Sequence, residues 1–195
     1  MATTKKTKKL SKEAILSEAK QLFSTKGYRA TTLQDLTGSF GVSRPSLYYY
    51  FKNKMELLLE LHSQGYIKAV KSFEEILSSR KPTREKFRKI LEVHARNLAS
   101  EAEIHKIFFM DENEMPDKLI REIRKRRRGY TNRIIEIYQR GIDEGIFREM
   151  DPKTVVYLLL GACNWITMWY SPAKRIDPET IVQSLITLLC KGYEK

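Results

Sequence analysis

Three consecutive tyrosines, Tyr48, Tyr49 and Tyr50, follow Arg44, and Ser43 and Ser46 flank the arginine. A guanidinium near a helix N-terminus can bond guanine O6 and N7 as a fork. Tyrosine rings can meet thymine methyls, and their hydroxyls can reach phosphate oxygens. Lys54 has the charge and reach for a phosphate. These types suit a nucleic acid, and the charge around them agrees. From Met1 to Glu56 there are 11 Lys/Arg against 4 Asp/Glu, whereas the rest of the chain has 25 against 20. Lys5, Lys6, Lys8, Lys9 and Lys12 form a basic arm with no acid before Glu13. Such an arm attracts polyanions, and taken alone it reads equally well as a solubilising tail.

Catalytic chemistry is poorly supplied. The chain has three histidines and two cysteines, no phosphate-cradling glycine loop and no metal-ligand cluster, so no enzyme is expected. His62 and His105 read as satisfied or surface histidines. Cys163 and Cys190 are too few for a disulfide scaffold and point to a reducing compartment, the cytoplasm. They read as buried free thiols. The 195 residues carry a net charge of +12, with 42% hydrophobic and 31% charged. That excludes a disordered chain and a membrane bundle. The longest apolar stretch, Val155 to Tyr170, contains Asn164 and is too short for a membrane span.

The elements that must position the cluster are helices, and no strand alternation is seen. Ser11 opens a first helix that carries Ile15, Ala19, Leu22 and Phe23 and ends at Gly27. Thr32 with Asp35 makes a capping box for a second, and Gly41 allows a sharp turn. Ser43 caps a third, Pro45 suits its first turn, and Leu47 and Phe51 hold it to the core. Asn53 caps a fourth helix, from about Lys54 to Ser79. Helices then follow from Thr83, from about Glu103, after Pro116, from Pro152 through Tyr170, and from Pro178 to a stop at Gly192. Gly129 stands where the helix after Pro116 could be disturbed. The expectation is an all-α chain of about nine helices. It comprises a flexible basic arm (1–10), a helix-turn-helix domain (11–53) and a helical effector-binding and dimerisation domain (54–195).

Gly27-Tyr28, Ala30-Thr31-Thr32, Gly41-Val42-Ser43, Leu47-Tyr48-Tyr49-Tyr50-Phe51 and Lys54 with Glu56-Leu57 together resemble the TetR family of one-component transcriptional repressors. The resemblance implies an N-terminal DNA-binding domain and a C-terminal helical domain that binds an effector and dimerises through its last two helices. By position it implies DNA contacts from Thr32, Gln34, Ser43, Arg44, Pro45, Ser46, Tyr48, Tyr49, Tyr50 and Lys54. Tyr49 and Lys54 would clamp phosphates, while Arg44, Pro45, Ser46 and Tyr48 would read bases. For Tyr50, packing on the core is an equal alternative. Phe40, in the run Thr37-Gly38-Ser39-Phe40, departs from the small residues usual there and needs room beside the turn.

The C-terminal part is less explicit. Pro152 to Tyr170 is apolar almost all round, so it must be covered on every side, by its own domain and by a second subunit. Ile181, Leu185, Leu188 and Leu189 give the last helix a stripe that would fit beside it. Asn164 to Pro172 is similar to family members that sense acyl-coenzyme A thioesters, which implies control of fatty-acid or related lipid breakdown. Core packing is the plainer reading of the same tryptophans. In the helix after Pro116, Ile120, Ile123, Tyr130, Ile134 and Ile137 make a stripe, and Arg127 falls inside it. A buried arginine needs an anion: a ligand phosphate or carboxylate, or Asp111 or Glu112. The candidate effector residues are Tyr66, Phe108, Arg127, Tyr130, Asn164, Trp165, Met168 and Trp169. No cofactor is expected, only an effector such as an acyl-CoA. The rival readings are a repressor of an efflux pump sensing cationic drugs and an architectural DNA binder.

Overall fold

The computed structural model describes residues 10–110, 117–170 and 176–193, without the side chains of 103, 108–110, 118, 119 and 191–193. The basic arm before residue 10, Asp111, Glu112, Pro172 and the Phe108 side chain lie outside the described residues. The chain is all-α, with ten helical segments among the described residues. They form two compact units that divide at Gly65–Tyr66.

The first unit contains α1 (Lys12–Lys26), α2 (Leu33–Phe40), α3 (Arg44–Tyr48) and the start of α4 (Lys54–Ser78). Each start is chemically marked. Ser11 accepts from the Ala14 N–H at 3.1 Å. Thr32 and Asp35 form the expected reciprocal capping box. Asn53 Oδ1 accepts from the Glu56 N–H at 2.9 Å. Gly41 takes the left-handed conformation (φ 66°) that joins α2 to α3. Ile15, Ala19, Phe23, Leu36, Leu47, Phe51, Leu57 and Leu58 are buried together with Phe40, for which the core does find room.

The second unit holds the rest of α4 with α5 (Thr83–Ser100), α6 (Ala102–Met110), α7 (Asp117–Asp143), α8 (Pro152–Asn164), α9 (Ile166–Trp169) and α10 (Pro178–Tyr193). Its core runs through Phe73, Phe87, Leu91, Ile134, Tyr138, Phe147, Val156, Cys163, Val182 and Ile186. Asp151 and Asp177 cap α8 and α10 by accepting from the Thr154 and Thr180 N–H groups at 2.6 and 3.1 Å.

Three expectations need correction. α7 passes through Gly129 without a break, because a mid-helix glycine weakens a helix by only about 1 kcal/mol and α7 is long. Gly192 does not stop α10, which reaches Tyr193. The helix from Pro152 is interrupted at Trp165: the Thr167 hydroxyl bonds the Asn164 carbonyl at 2.8 Å, and the next backbone bond, Met168 N–H to Trp165 carbonyl, is an i→i−3 turn. Counting α8 and α9 as one interrupted helix gives the expected nine.

Candidate nucleic-acid interface

α3 is anchored on one side by Leu47 and just beyond its end by Phe51, both sealed in the core. With that face buried, Arg44, Pro45, Tyr48 and Tyr49 are forced outward. Tyr49 is 85% exposed and Tyr48 48%, an unusual placement for rings on a structure with a core to fill. Tyr50 is half-buried, and its ring meets Tyr49 edge-on at 5.2 Å. Ser43 takes the N-cap position of α3, but its hydroxyl makes no capping bond; it pairs with Ser46 Oγ at 3.0 Å. Gln34, exposed on α2, accepts from Arg44 Nη2 at 2.9 Å. The guanidinium is thus held against α2 with the rest of its fork available.

Two expected contacts are engaged inside the unit. The Thr32 hydroxyl accepts from the Asp35 N–H at 3.2 Å and lies 2.9 Å from Asp35 Oδ2, which also takes the Lys26 ammonium at 2.7 Å. Lys26 first, then the Thr32 backbone and hydroxyl, hold the Asp35 carboxyl down to about 2. Lys54 does not extend outward. Its ammonium donates to the Tyr28 carbonyl at 2.6 Å and the Arg29 carbonyl at 3.2 Å, and sits 4.3 Å from the Tyr28 ring centroid. The Tyr28 carbonyl also accepts from the Thr31 N–H at 3.2 Å, and the cation adds to that bond, drawn by the carbonyl dipoles after α1 and by the ring face. Lys54 therefore ties the start of α4 to the α1–α2 corner.

Two expected outcomes follow. Arg44→Ala should cost roughly 1–3 kcal/mol at a specific site and relax base preference at one position per half-site, read by selection on randomised duplexes. Lys54→Ala should weaken all duplexes alike and also lower the melting temperature. A phosphate contact alone would reduce the slope of log affinity against log salt by about 0.9. An unchanged slope with a lower melting temperature would show the lysine acting through Tyr28.

In the second unit the expected effector residues divide into two groups. Tyr130 and Asn164 come together around a residue the sequence reading passed over, His94. Asn164 Oδ1 lies 3.3 Å from His94 Nε2, and the Tyr130 ring stacks on the imidazole at 5.8 Å with a 26° tilt. Tyr130 also packs on Phe73 at 5.0 Å. Burial pushes His94 down to about 4, against the smaller opposing pull of Asn164, and burial pushes the Tyr130 phenol up. His94 could have been found: Phe87, Leu91, His94 and Leu98 follow one helical stripe of α5. Tyr66 is half-buried, with the Arg126 guanidinium 5.6 Å from its ring centroid. Trp165, Met168 and Trp169 instead reach the surface, Trp165 with 65% of its area exposed.

Arg127 is also exposed, contrary to the buried position its stripe implies. Its angle on α7 is right, but among the described residues the buried stretch of α7 starts only at Thr131. Arg127 lines a cleft of about 480 Å³ with Arg124, Arg128, Thr131 and Tyr157. Leu188 likewise leaves its expected stripe: it is 73% exposed, while Ile181 is buried.

The chain matches known proteins at both ends. Residues 15–61 match the family described as bacterial regulatory proteins, tetR family, and residues 80–193 match the tetracyclin repressor-like C-terminal domain. The fatty acid metabolism regulator protein of Bacillus subtilis (strain 168) is 22% identical over 180 residues, covering 91% of this chain and 93% of its own. A crystal structure of a TetR/AcrR-family transcriptional regulator from Thermobifida fusca is 30% identical, with a TM-score of 0.78, covering 94% and 98%. AibR, solved with isovaleryl coenzyme A and operator DNA, shares the fold with a TM-score of 0.75 at 20% identity, covering 91% and 96%. Among the described residues no helix is long and apolar enough to cross a membrane. With the helix-turn-helix array, its outward aromatic and basic row and the helical second unit in place, the chain belongs to the TetR family of DNA-binding transcriptional regulators.

Proposed function

We propose that this chain represses genes of fatty-acid or related lipid metabolism, and that an acyl-CoA thioester releases it from its operator. The observation that carries the effector reading is the cleft where Arg124, Arg127 and Arg128 stand within two turns of α7, opposite Tyr157. Three guanidiniums in one concavity suit the phosphates of a nucleotide-bearing ligand. The likeness to a fatty acid metabolism regulator and to a protein solved with isovaleryl coenzyme A supports this reading. A sensor of cationic drugs would favour inward acids; among the described residues no Asp or Glu is buried. Leu158 on α8, Trp165 just past its end and Leu188 on α10 form exposed apolar positions suited to a two-fold partner, so the operator would carry two inverted half-sites. Under this reading the protein is cytoplasmic, and Arg44, Pro45, Ser46 and Tyr48 read bases with Tyr49 on a phosphate.

Fluorescence anisotropy of a protein–operator complex, titrated with decanoyl-CoA, decanoic acid and coenzyme A, tests the reading. Decanoyl-CoA should release the DNA and the other two should do so poorly, each lacking half of the interaction. Arg127→Ala should raise the concentration needed roughly ten-fold, the scale of one charged hydrogen bond. No release by any acyl-CoA across chain lengths would overturn the effector and leave the repressor standing.

A further inference from the structure

Inside the second unit, three neutral polar side chains from three helices meet: His94 of α5, Tyr130 of α7 and Asn164 of α8. Their surroundings are apolar: Phe73 lies against Tyr130, and Cys163, Leu91, Ala95 and Leu98 belong to the same core. Burying such groups without partners is costly, so what they bond is a question with a definite answer. Between them the trio makes one hydrogen bond, His94 to Asn164. A neutral imidazole has one donor and one acceptor, the amide has two donor hydrogens, and the phenol has one. Among the described residues the Tyr130 hydroxyl and the Asn164 amide nitrogen have no hydrogen-bond partner. Yet no described side-chain nitrogen or oxygen that is shut off from solvent lacks a partner. The two groups are therefore within reach of water rather than sealed off by packed atoms. Asn164 is also the last residue of α8, where its carbonyl takes the Thr167 hydroxyl and the helix is interrupted.

We propose that His94, Tyr130 and Asn164 form a recognition point for an uncharged oxygen, a carbonyl or hydroxyl, on an otherwise apolar effector. The proposal rests on the second unit being the effector domain, but not on the effector being an acyl-CoA. The unused donors of Tyr130 and Asn164 match the lone pairs of such an oxygen, and the aromatic walls match its hydrocarbon. A carboxylate would need a cation there and an ammonium an anion; the trio offers neither. The arginine cleft is a separate feature: Arg124, Arg127, Arg128, Thr131 and Tyr157 line it and none of the trio does, whereas Tyr130 faces Phe73 and His94.

The test uses the full chain labelled with ¹⁵N-histidine. Its three histidine ring signals are assigned with His62→Gln and His105→Gln. The probes are 2-octanone, 2-octanol, octanoate and octylammonium, of equal chain length. The ketone and alcohol should shift the His94 signal saturably, with both ions at least ten-fold weaker. Tyr130→Phe, which removes only the hydroxyl, should weaken the ketone about ten-fold, and Asn164→Ala should do the same in a chain that melts normally. No saturable shift with the ketone, equal binding of octanoate, or undiminished binding by Tyr130→Phe would each overturn the proposal. Failure of acyl-CoA to release the operator would leave these outcomes unaffected.

Discussion

Replacing Gly141 with alanine should lower the melting temperature of the chain by roughly 2–8 °C, although alanine is the better helix former. Gly141 lies in the last turn of α7, and a Cβ there would overlap the Cδ2–Cε2 edge of the Phe147 ring. That ring cannot easily give way. It is fully buried, stacks on Tyr138 at 5.2 Å and packs on Phe87 at 5.2 Å. Its backbone is fixed as well: Gly145 turns the chain with φ 70°, and the Gly141 carbonyl accepts from the N–H groups of Ile146 and Phe147 at 2.8 and 3.0 Å. The Tyr138 hydroxyl holds the following strand of chain through the Arg148 carbonyl at 3.1 Å. Overpacking of this kind costs about 1–3 kcal/mol. Gly129→Ala is the control: it is exposed on the same helix, has nothing within 4 Å of an added Cβ, and should gain up to about 1 kcal/mol. Calorimetry on both variants checks the pair, and a Gly141→Ala chain melting at or above the parent would refute the Phe147 packing.

Acid should destabilise the chain well before its carboxylates titrate. In the unfolded chain His94 takes a proton near its ordinary value of 6.5, whereas burial holds the folded imidazole to about 4. Between those values the unfolded state binds more protons, so stability rises with pH there. The contribution is complete above pH 6.5, shrinks as pH falls and is gone below about 4. At about 1.4 kcal/mol per pH unit the loss approaches roughly 3 kcal/mol. The carboxyls of Asp35, Glu74, Asp151 and Glu179 are all held below their ordinary values by hydrogen bonds and cationic partners. Their contributions are lost only as pH falls below the ordinary carboxylate range, so the two windows separate. Urea unfolding at pH 7.5 and pH 5 should show the loss in the parent and a much smaller one in His94→Gln. Equal losses in both chains would sink the assignment to His94. His62 and His105 are common to the two and cancel.

Local chemistry made much of the fold legible. Ser11, Thr32 with Asp35, Asn53, Asp151 and Asp177 each mark a helix start because a short side chain there satisfies an open backbone N–H, a matter of three or four residues. Leu47 and Phe51 announced which way α3 faces, and so which residues it presents. Longer-range matters were less legible. Helical phase placed Arg127 in a stripe, but phase gives an angle and not how far along the axis the neighbours extend. The same blindness hid His94, whose place on the α5 stripe is as good as that of Leu91. Ser43 sits at the cap position, yet Ser46 is an equally near partner for its hydroxyl. The interruption at Trp165 is accompanied by the Thr167 hydroxyl bonding the Asn164 carbonyl, which no periodicity records.

Cys163 lies beside Tyr130 with no exposed surface, and burial pushes its thiol up to about 12. At neutral pH almost no thiolate exists there, so alkylating reagents and disulfide exchange have no nucleophile to meet while the unit is closed. Its modification rate then reports how often the interior opens rather than how reactive sulfur is. The residue is thus a built-in clock for the breathing of the second unit, and a bound effector that holds the helices together would slow it.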